Sequence, residues 1–271
     1  MEEIRFVQDG PIGRLSLNRP DKLNAQTPAM WSYLGDLGAQ LIADADLRVL
    51  IVDGPGRSFS AGIDISTFTG GSQGGGDSAG ATSAPPGLSD VDSILYIQRA
   101  FTWFEQAPFL TIAKVQGHAF GAGMQLALAC DIRIVADDCQ MGLLETRWGL
   151  MPDLGGTVWL PRLVGPAKAL EMMVLAQRLD AAELLAAGIV NRVVARDDLD
   201  AEVEAFANVV AQQPPLAVRG AKAAVLEGWG AATAVGMRAA AVAQIPCLKS
   251  RDFREAGAAF VEGRAAKFEG K

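Results

Sequence analysis

Histidine is nearly absent from the sequence: His118 is the single one in 271 residues. A metal site built from several imidazoles is thereby excluded, and a Ser-His-Asp triad would have to run through that one residue. Cysteine is scarce as well. Cys130, Cys139 and Cys247 are odd in number, widely spaced and without a CxxC pair, so neither a disulfide framework nor a zinc site is indicated and buried free thiols are expected. No run of eighteen apolar residues occurs, which leaves no candidate membrane-spanning helix. The opening MEEIRFVQDG has acidic residues where a signal peptide needs a basic region followed by an apolar one. A soluble, cytoplasmic protein is the expectation. Basic residues are outnumbered, 24 Lys and Arg against 31 Asp and Glu, and the net charge of -7 argues against non-specific nucleic-acid binding.

What is present is the composition of an ordinary globular protein, half hydrophobic and a fifth charged, in a chain long enough for a sizeable core. Short runs rich in Val, Ile and Leu at 14–17, 48–52, 111–115, 131–135 and 189–194 predict strands. Helical spacing separates most of them. Met30, Leu34, Leu37 and Leu41 form a three-to-four-residue stripe within 27–43, and Asp180 with Glu183 reads as a capping box whose helix stops at Gly188. After 198 the strand signal ends and Ala-rich helical segments follow, broken by Pro214, Pro215, Gly228, Gly230 and Pro246. The pattern predicts an α/β core over 1–198 and a helical C-terminal region over 199–271. Between the second and third strand runs lies TGGSQGGGDSAGATSAPPG, residues 69–87, too poor in apolar surface to offset its ordering entropy and expected as a surface loop within one domain.

Two glycine turns are placed for chemistry. GRSFSAGIDI (56–65) follows the 48–52 strand and is expected to open a short helix; GHAFGAGMQLALACD (117–131) leaves the 111–115 strand and enters an apolar helix. The first helical N–H groups have no intrahelical partner, and small residues let a ligand approach them. Neither turn matches GxGxxG or GxxxxGK[ST], so a nucleotide-phosphate loop is not supported.

Read with their surroundings, these turns resemble the enoyl-CoA hydratase/isomerase, or crotonase, family. SLNRPDKLNA (16–25) is similar to its first CoA-binding segment, SFSAGIDI (58–65) to its first oxyanion segment and GHAFGAGMQLALACD to its second. LETRWGLMPDLGGTVWLPRLVG (144–165) and AFVEGRAAKF (259–268) follow in the family's order, so the likeness spans essentially the entire chain. The resemblance implies a crotonase-like spiral of β-β-α units with a helical C-terminal region that forms homotrimers or dimers of trimers. It implies an acyl-CoA thioester as substrate, with coenzyme A part of that substrate and no further cofactor or metal. The thioester oxygen is expected between the amides of Ile63 and Ala122, since each preorganised donor contributes roughly 2.7 to 4 kcal/mol to charge developing there. Coenzyme A is expected near Lys22, Leu23 and Ala25 and near the backbone of Ala61, Asp64 and Ile65, with Phe260 reaching the nucleotide site of a neighbouring subunit. Gly263 stands where some family members carry a lysine for the CoA phosphates, and Arg264 is the candidate replacement.

The family's hydratases hold a water between two glutamates. Matched here, the second is Glu145 and the first is Gln125, an amide that hydrogen-bonds water but accepts no proton usefully at neutral pH. Asp153 lies eight residues after Glu145 in PDLGGT, where simple hydratases usually have glycine and some family isomerases have aspartate. By spacing alone Asp153 reads as a turn or N-cap residue and Glu145 as surface charge at a strand end; the resemblance makes them a proton-transfer pair. Phe68, Gln125, Trp148, Met151 and Leu154 are the expected acyl-pocket residues. The implied activity is migration of an enoyl-CoA or dienoyl-CoA double bond. The alternatives are a 2-enoyl-CoA hydratase in which Asp153 replaces the missing glutamate, and a non-catalytic acyl-CoA-binding protein.

Overall fold

The computed structural model describes residues 1–64, 66 and 84–271. β1 (Ile4–Asp9) and β2 (Ile12–Leu17) pair antiparallel with Asp9 opposite Ile12. The tight link between them uses Gly10 at a φ of 54°, a conformation with no Cβ penalty for glycine. β3 (Val49–Asp53), β4 (Leu110–Val115), β6 (Ile132–Ala136) and β9 (Arg192–Val194) then add in parallel, in the order β1-β2-β3-β4-β6-β9. All five residues of β3 are buried, the mark of a strand covered on both faces. Leu50 and Val52 enter one core with Leu15, Leu17, Phe101 and Phe104. Val49 and Ile51 point the other way, into a second core.

Short strands form a second layer: β5 (His118–Phe120) runs parallel to β7 (Gln140–Gly142), and β7 pairs antiparallel with β8 (Leu179–Asp180). Isolated parallel bridges Ser60↔Ala119 and Gln26↔Ile63 carry this layer onward to the two segments that follow β2 and β3. Each turn of the chain thus supplies one long strand to the large sheet, one short strand or bridge to the small one, and a crossover, which parallel pairing requires. This is the expected β-β-α spiral. The crossovers include α1 (Pro28–Ile42), capped by Thr27 accepting from Met30 N–H, α2 (Asp90–Gln106), capped by Ser89, and α3 (Ala122–Ala129). After β7 come α4 (Gly156–Val164), α5 (Pro166–Val174) and α6 (Ala181–Ala186), the last started by the expected Asp180–Glu183 capping box.

The C-terminal region is helical: α7 (Leu199–Ala211), α8 (Pro215–Gly228), α9 (Thr233–Lys249) and α10 (Arg251–Glu262). α7, however, lays Leu199, Val203, Ala207 and Ala211 on the second core beside Val49, Ile51, Ile112 and Ile134. A division drawn after residue 198 therefore passes between the sheet and the helix that covers it.

Several local expectations are corrected. β1 escaped the strand reading because IRFVQD interleaves polar residues, which suits an edge strand with one face in solvent. Ile189 and Val190 are buried but pair with no strand; their N–H groups cap the end of α6 by reaching the Leu184 carbonyl. Of the three thiols, Cys130 and Cys139 are buried, but Cys247 is only half-buried. The expected helix after 56–65 and the 69–83 part of the glycine-rich segment lie outside the described residues.

Candidate active site

Three segments converge where the two layers meet. The first ends at Gly62, whose φ of +97° excludes most side chains and whose added Cβ would stand 2.6 Å from the Phe120 carbonyl and 3.7 Å from the Ala122 nitrogen. Glycine is needed there both for conformation and for space. The Gln26 N–H donates to the Gly62 carbonyl at 2.7 Å and the Gln26 carbonyl accepts from the Asp64 N–H at 2.8 Å, which turns the Ile63 amide to the opposite side. The second segment brings Ala122 to the first position of α3, behind Gly121 at the N-cap. An amide at that position has no intrahelical acceptor. The close approach of Gly62 to Phe120 and Ala122 thus places Ile63 and Ala122, expected as a donor pair, on adjoining segments of backbone.

The third segment carries the carboxylates. Glu145 does not end a strand; it opens a 3-10 turn, Glu145–Trp148, beyond β7. Its Oε1 accepts from Gln125 Nε2 at 2.7 Å, and Gln125, only 1% exposed, accepts through its own Oε1 from the Gly156 N–H at 2.9 Å. Among the described residues Glu145 Oε2 is buried with no hydrogen-bond partner. A Cβ on Gly121 would lie 3.2 Å from Glu145 Oε1, so the carboxyl sits directly against the start of α3. Burial pushes the Glu145 carboxyl from 4.5 up to about 7, against the pull of its own N–H and the Gln125 amide, and the charge of Asp153 adds to the rise. Desolvation penalises the charged form, and a neighbouring like charge does the same.

Asp153 is no helix cap. Gly155 holds the N-cap of α4, at a φ of 109° and with no side-chain cap, because an added Cβ there would fall 2.0 Å from the Trp159 ring. Asp153 sits two residues earlier in a turn closed by its own N–H to the Met151 carbonyl at 2.9 Å. Its carbonyl accepts from Gln98 Nε2 at 2.7 Å. Burial raises its carboxyl above the ordinary aspartate range, with its own N–H pulling the other way. Two half-buried acids of raised pKa, near enough for the charge of Asp153 to act on Glu145, have the chemistry to exchange protons with a polarised carbonyl compound.

An enoyl-CoA hydratase/isomerase family model matches residues 8–271. The chain belongs to this family. Mycobacterium tuberculosis has a relative named probable enoyl-CoA hydratase echA8, 32% identical over 269 residues, which are 98% of each chain. An enoyl-CoA hydratase from Bacillus anthracis shares the fold at a TM-score of 0.87 and 29% identity, covering 99% of this chain and 100% of that one. A Thermobifida fusca protein named as an enoyl-CoA hydratase, solved in complex with CoA, matches at 0.82 and 35%, covering 92% and 93%. The architecture above is the crotonase fold, and the protein is an acyl-CoA-processing enzyme of the enoyl-CoA hydratase/isomerase family.

The 16–25 segment is hydrogen-bonded to the segment that leads to Ile63. Buried Asn24 donates to the Pro55 and Ser58 carbonyls at 2.9 and 2.8 Å, and Arg19 reaches the Ala25 carbonyl at 2.7 Å and Asp64 at 2.9 Å. Lys22 is exposed at the end of a 3-10 turn, Pro20–Lys22, followed by Leu23 and Asn24 in left-handed conformation. The N–H groups of Ala61 and Asp64 are donated to Leu23 O and Gln26 O, so a ligand at this backbone would meet carbonyls. Asp64 keeps its carboxyl below the usual range through the Ser66 hydroxyl first, then Arg19. Ile65 and Phe68 lie outside the described residues.

The expected acyl walls divide. Leu154 is 6% exposed and part of the main core, whereas Trp148 and Met151 are 67% and 58% exposed and stand at a rim. The left-handed Gly149 at the end of the 3-10 turn swings that stretch outward. Phe260, 88% exposed, is far too open to belong to a pocket of its own chain. Arg264 is occupied by Glu255 and Glu262, which weakens it as a replacement phosphate ligand, and Gly263 ends α10 at a φ of 65°, where a lysine would be strained. Gln98, Glu105 and the Gly156 amide were not legible as site groups: nothing in the spacing of 90–106 distinguishes two polar positions on a helix from solvated ones.

Proposed function

We propose that the protein is an enoyl-CoA or dienoyl-CoA double-bond isomerase, in which Glu145 and Asp153 transfer protons while the amides of Ile63 and Ala122 hold the thioester oxygen. One observation carries the reading: both ends of Gln125 are engaged, one on Glu145 and one on Gly156, so the amide orients Glu145 and, accepting no proton, supplies no second acid or base. The acids facing the substrate are then Glu145 and Asp153. Glu145 Oε2, buried and unpaired, takes a proton from C2 of a 3-enoyl-CoA. The C2–H electron pair spreads into the thioester, and the two amides stabilise the resulting oxyanion. Asp153, whose protonated form is favoured by burial, returns a proton to C4 as the double bond moves from C3–C4 to C2–C3. Glu145 ends protonated and Asp153 ionised; proton exchange with water restores the pair. A carboxyl near 7 is about half ionised at neutral pH, which suits a base that must later release its proton.

Binding of the acyl-CoA itself is supported by related structures that hold CoA and acetoacetyl-CoA. The exposed helices α8 to α10 support assembly as a homotrimer or dimer of trimers, with Phe260 meeting the nucleotide of a neighbouring subunit. The test is a panel of 3-enoyl-, dienoyl- and 2-enoyl-CoA followed by mass spectrometry of the products. Wild type is expected to move the double bond without a change in mass, and Glu145→Gln and Asp153→Asn to lose roughly 10² to 10⁴-fold in kcat. Full turnover in both variants would sink the assignment. The names of the relatives favour a second reading, hydration of 2-enoyl-CoA, and a product heavier by one water selects it.

A further inference from the structure

Gln98 and Glu105 stand seven residues apart on α2, two turns along one face. Both leave their own helix to hold the segment that carries Asp153. Gln98 Nε2 donates to the Asp153 carbonyl at 2.7 Å and, among the described residues, no other donor reaches that oxygen. Glu105 Oε1 accepts from Trp159 Nε1 at 2.8 Å and from Arg162 at 2.9 Å. The Trp159 ring, 7% exposed, occupies the space under Gly155 where an added Cβ would collide at 2.0 Å. Next to Gly155, the Gly156 N–H fixes Gln125, and Gln125 fixes Glu145. α2 therefore holds the chain at Asp153 itself and again at Trp159 and Arg162, on the far side of the Gly155–Gly156 pair.

We propose that Gln98 and Glu105 are positioning residues that set where the Asp153 carboxyl stands relative to Glu145, so that the second proton transfer depends on α2. The inference rests on the reading of Asp153 as a proton-transfer acid. A turn of this kind has few hydrogen bonds of its own, and a misplacement of about 1 Å at a reacting group costs on the order of 10²-fold. A residue that merely supports the fold would lower every partial reaction together.

The experiment separates the two proton transfers. Exchange of the C2 protons of butyryl-CoA in D2O needs Glu145 and the two amides but not Asp153; migration of the double bond in a 3-enoyl-CoA needs all of them. Gln98→Leu removes the donor at similar volume, Glu105→Leu removes the acceptor, and Glu105→Gln retains an acceptor for Trp159. For Gln98→Leu and Glu105→Leu the expected result is a kcat for migration lower by about 10 to 10²-fold, with KM and C2 exchange within about threefold of wild type. Glu105→Gln is expected to restore migration to within about threefold. Unchanged migration in both leucine variants overturns the proposal, and so does a parallel fall of migration and C2 exchange. If wild type exchanges C2 but only hydrates, the isomerase reading fails while the positioning role is decided by the same comparison made on hydration.

Discussion

Gln125 concentrates the residue-scale question, because one atom pair on it separates two chemistries. An acid at 125 would stand where Nε2 now sits, 2.7 Å from Glu145 Oε1, and two carboxyls at that distance share a proton; spread apart by a substrate water, they become a pair of acids that can activate it. Gln125→Glu is therefore expected to raise the ratio of hydrated to isomerised product, measured by mass spectrometry on 2-enoyl- and 3-enoyl-CoA; an unchanged ratio counts against Asp153 as the acid that selects the reaction. The raised carboxyl of Glu145 also has a cost in stability. Its folded value, about 7, lies above the ordinary 4.5, so the native state binds this proton more tightly than the unfolded chain. The associated stability is full below 4.5 and is lost as pH rises through about 7. Glu145→Gln keeps an acceptor for Gln125 and removes the charge, so its Tm is expected above that of wild type at about pH 8 and level with it at about pH 4. A deficit at about pH 8 in calorimetric scans would contradict this.

Elements place these residues through their ends. α3 is eight residues long and buried throughout, so its use to the site is its N-terminus, where Ala122 follows a left-handed Gly121. The approach of Gly62 to that end is so close that Gly62→Ala must shift either the Phe120 carbonyl or itself. The expected outcome is a loss of about 1 to 3 kcal/mol by urea denaturation, together with a fall in kcat larger than the loss of folded protein explains. α6 offers a control away from the site. Its capping box satisfies two donors, Glu183 N–H on Asp180 Oδ1 and Asp180 N–H on Glu183 Oε2, both at 2.9 Å. Asp180→Ala is expected to cost about 1 kcal/mol with kcat unchanged, by the same denaturation assay and a steady-state one. The capping box and its stop at Gly188 were readable from four letters of sequence, since capping is local. A helix start near Gly155 was readable as well, but that Gly155 and not Asp153 holds the cap was not, because the Trp159 ring beneath it leaves no room for a side chain.

At the scale of the molecule, α8 is tied to the core by Lys222 on Asp131, whereas α9 and α10 present Met237, Ile245, Phe253 and Phe260 at exposures from 51% to 88%. A single chain rarely leaves so many large apolar side chains in water on neighbouring helices. The assembly proposed above covers them, and light scattering is expected to give three or six times the chain mass of 28.5 kDa. A monomer at micromolar concentration would remove the neighbour that Phe260 is proposed to reach. Among the described residues no helix is long and apolar enough to cross a membrane, so these faces are not read as membrane spans.

The strands at 48–52, 111–115 and 131–135, the stripe of α1 and the order of the glycine turns were determined by the sequence alone, because hydrophobic period, capping and backbone freedom act within a few residues. The same local information marked Glu145 and Asp153 as candidates through the family's order of motifs. Tertiary structure decided what those acids are. Burial next to Gly121 moves Glu145 to about 7, Gln125 bridges Glu145 and the Gly156 N–H, and Gln98 reaches from residue 98 to hold the carbonyl of residue 153. Such effects depend on desolvation and on contacts between groups distant in the chain, and neither has a signature in spacing.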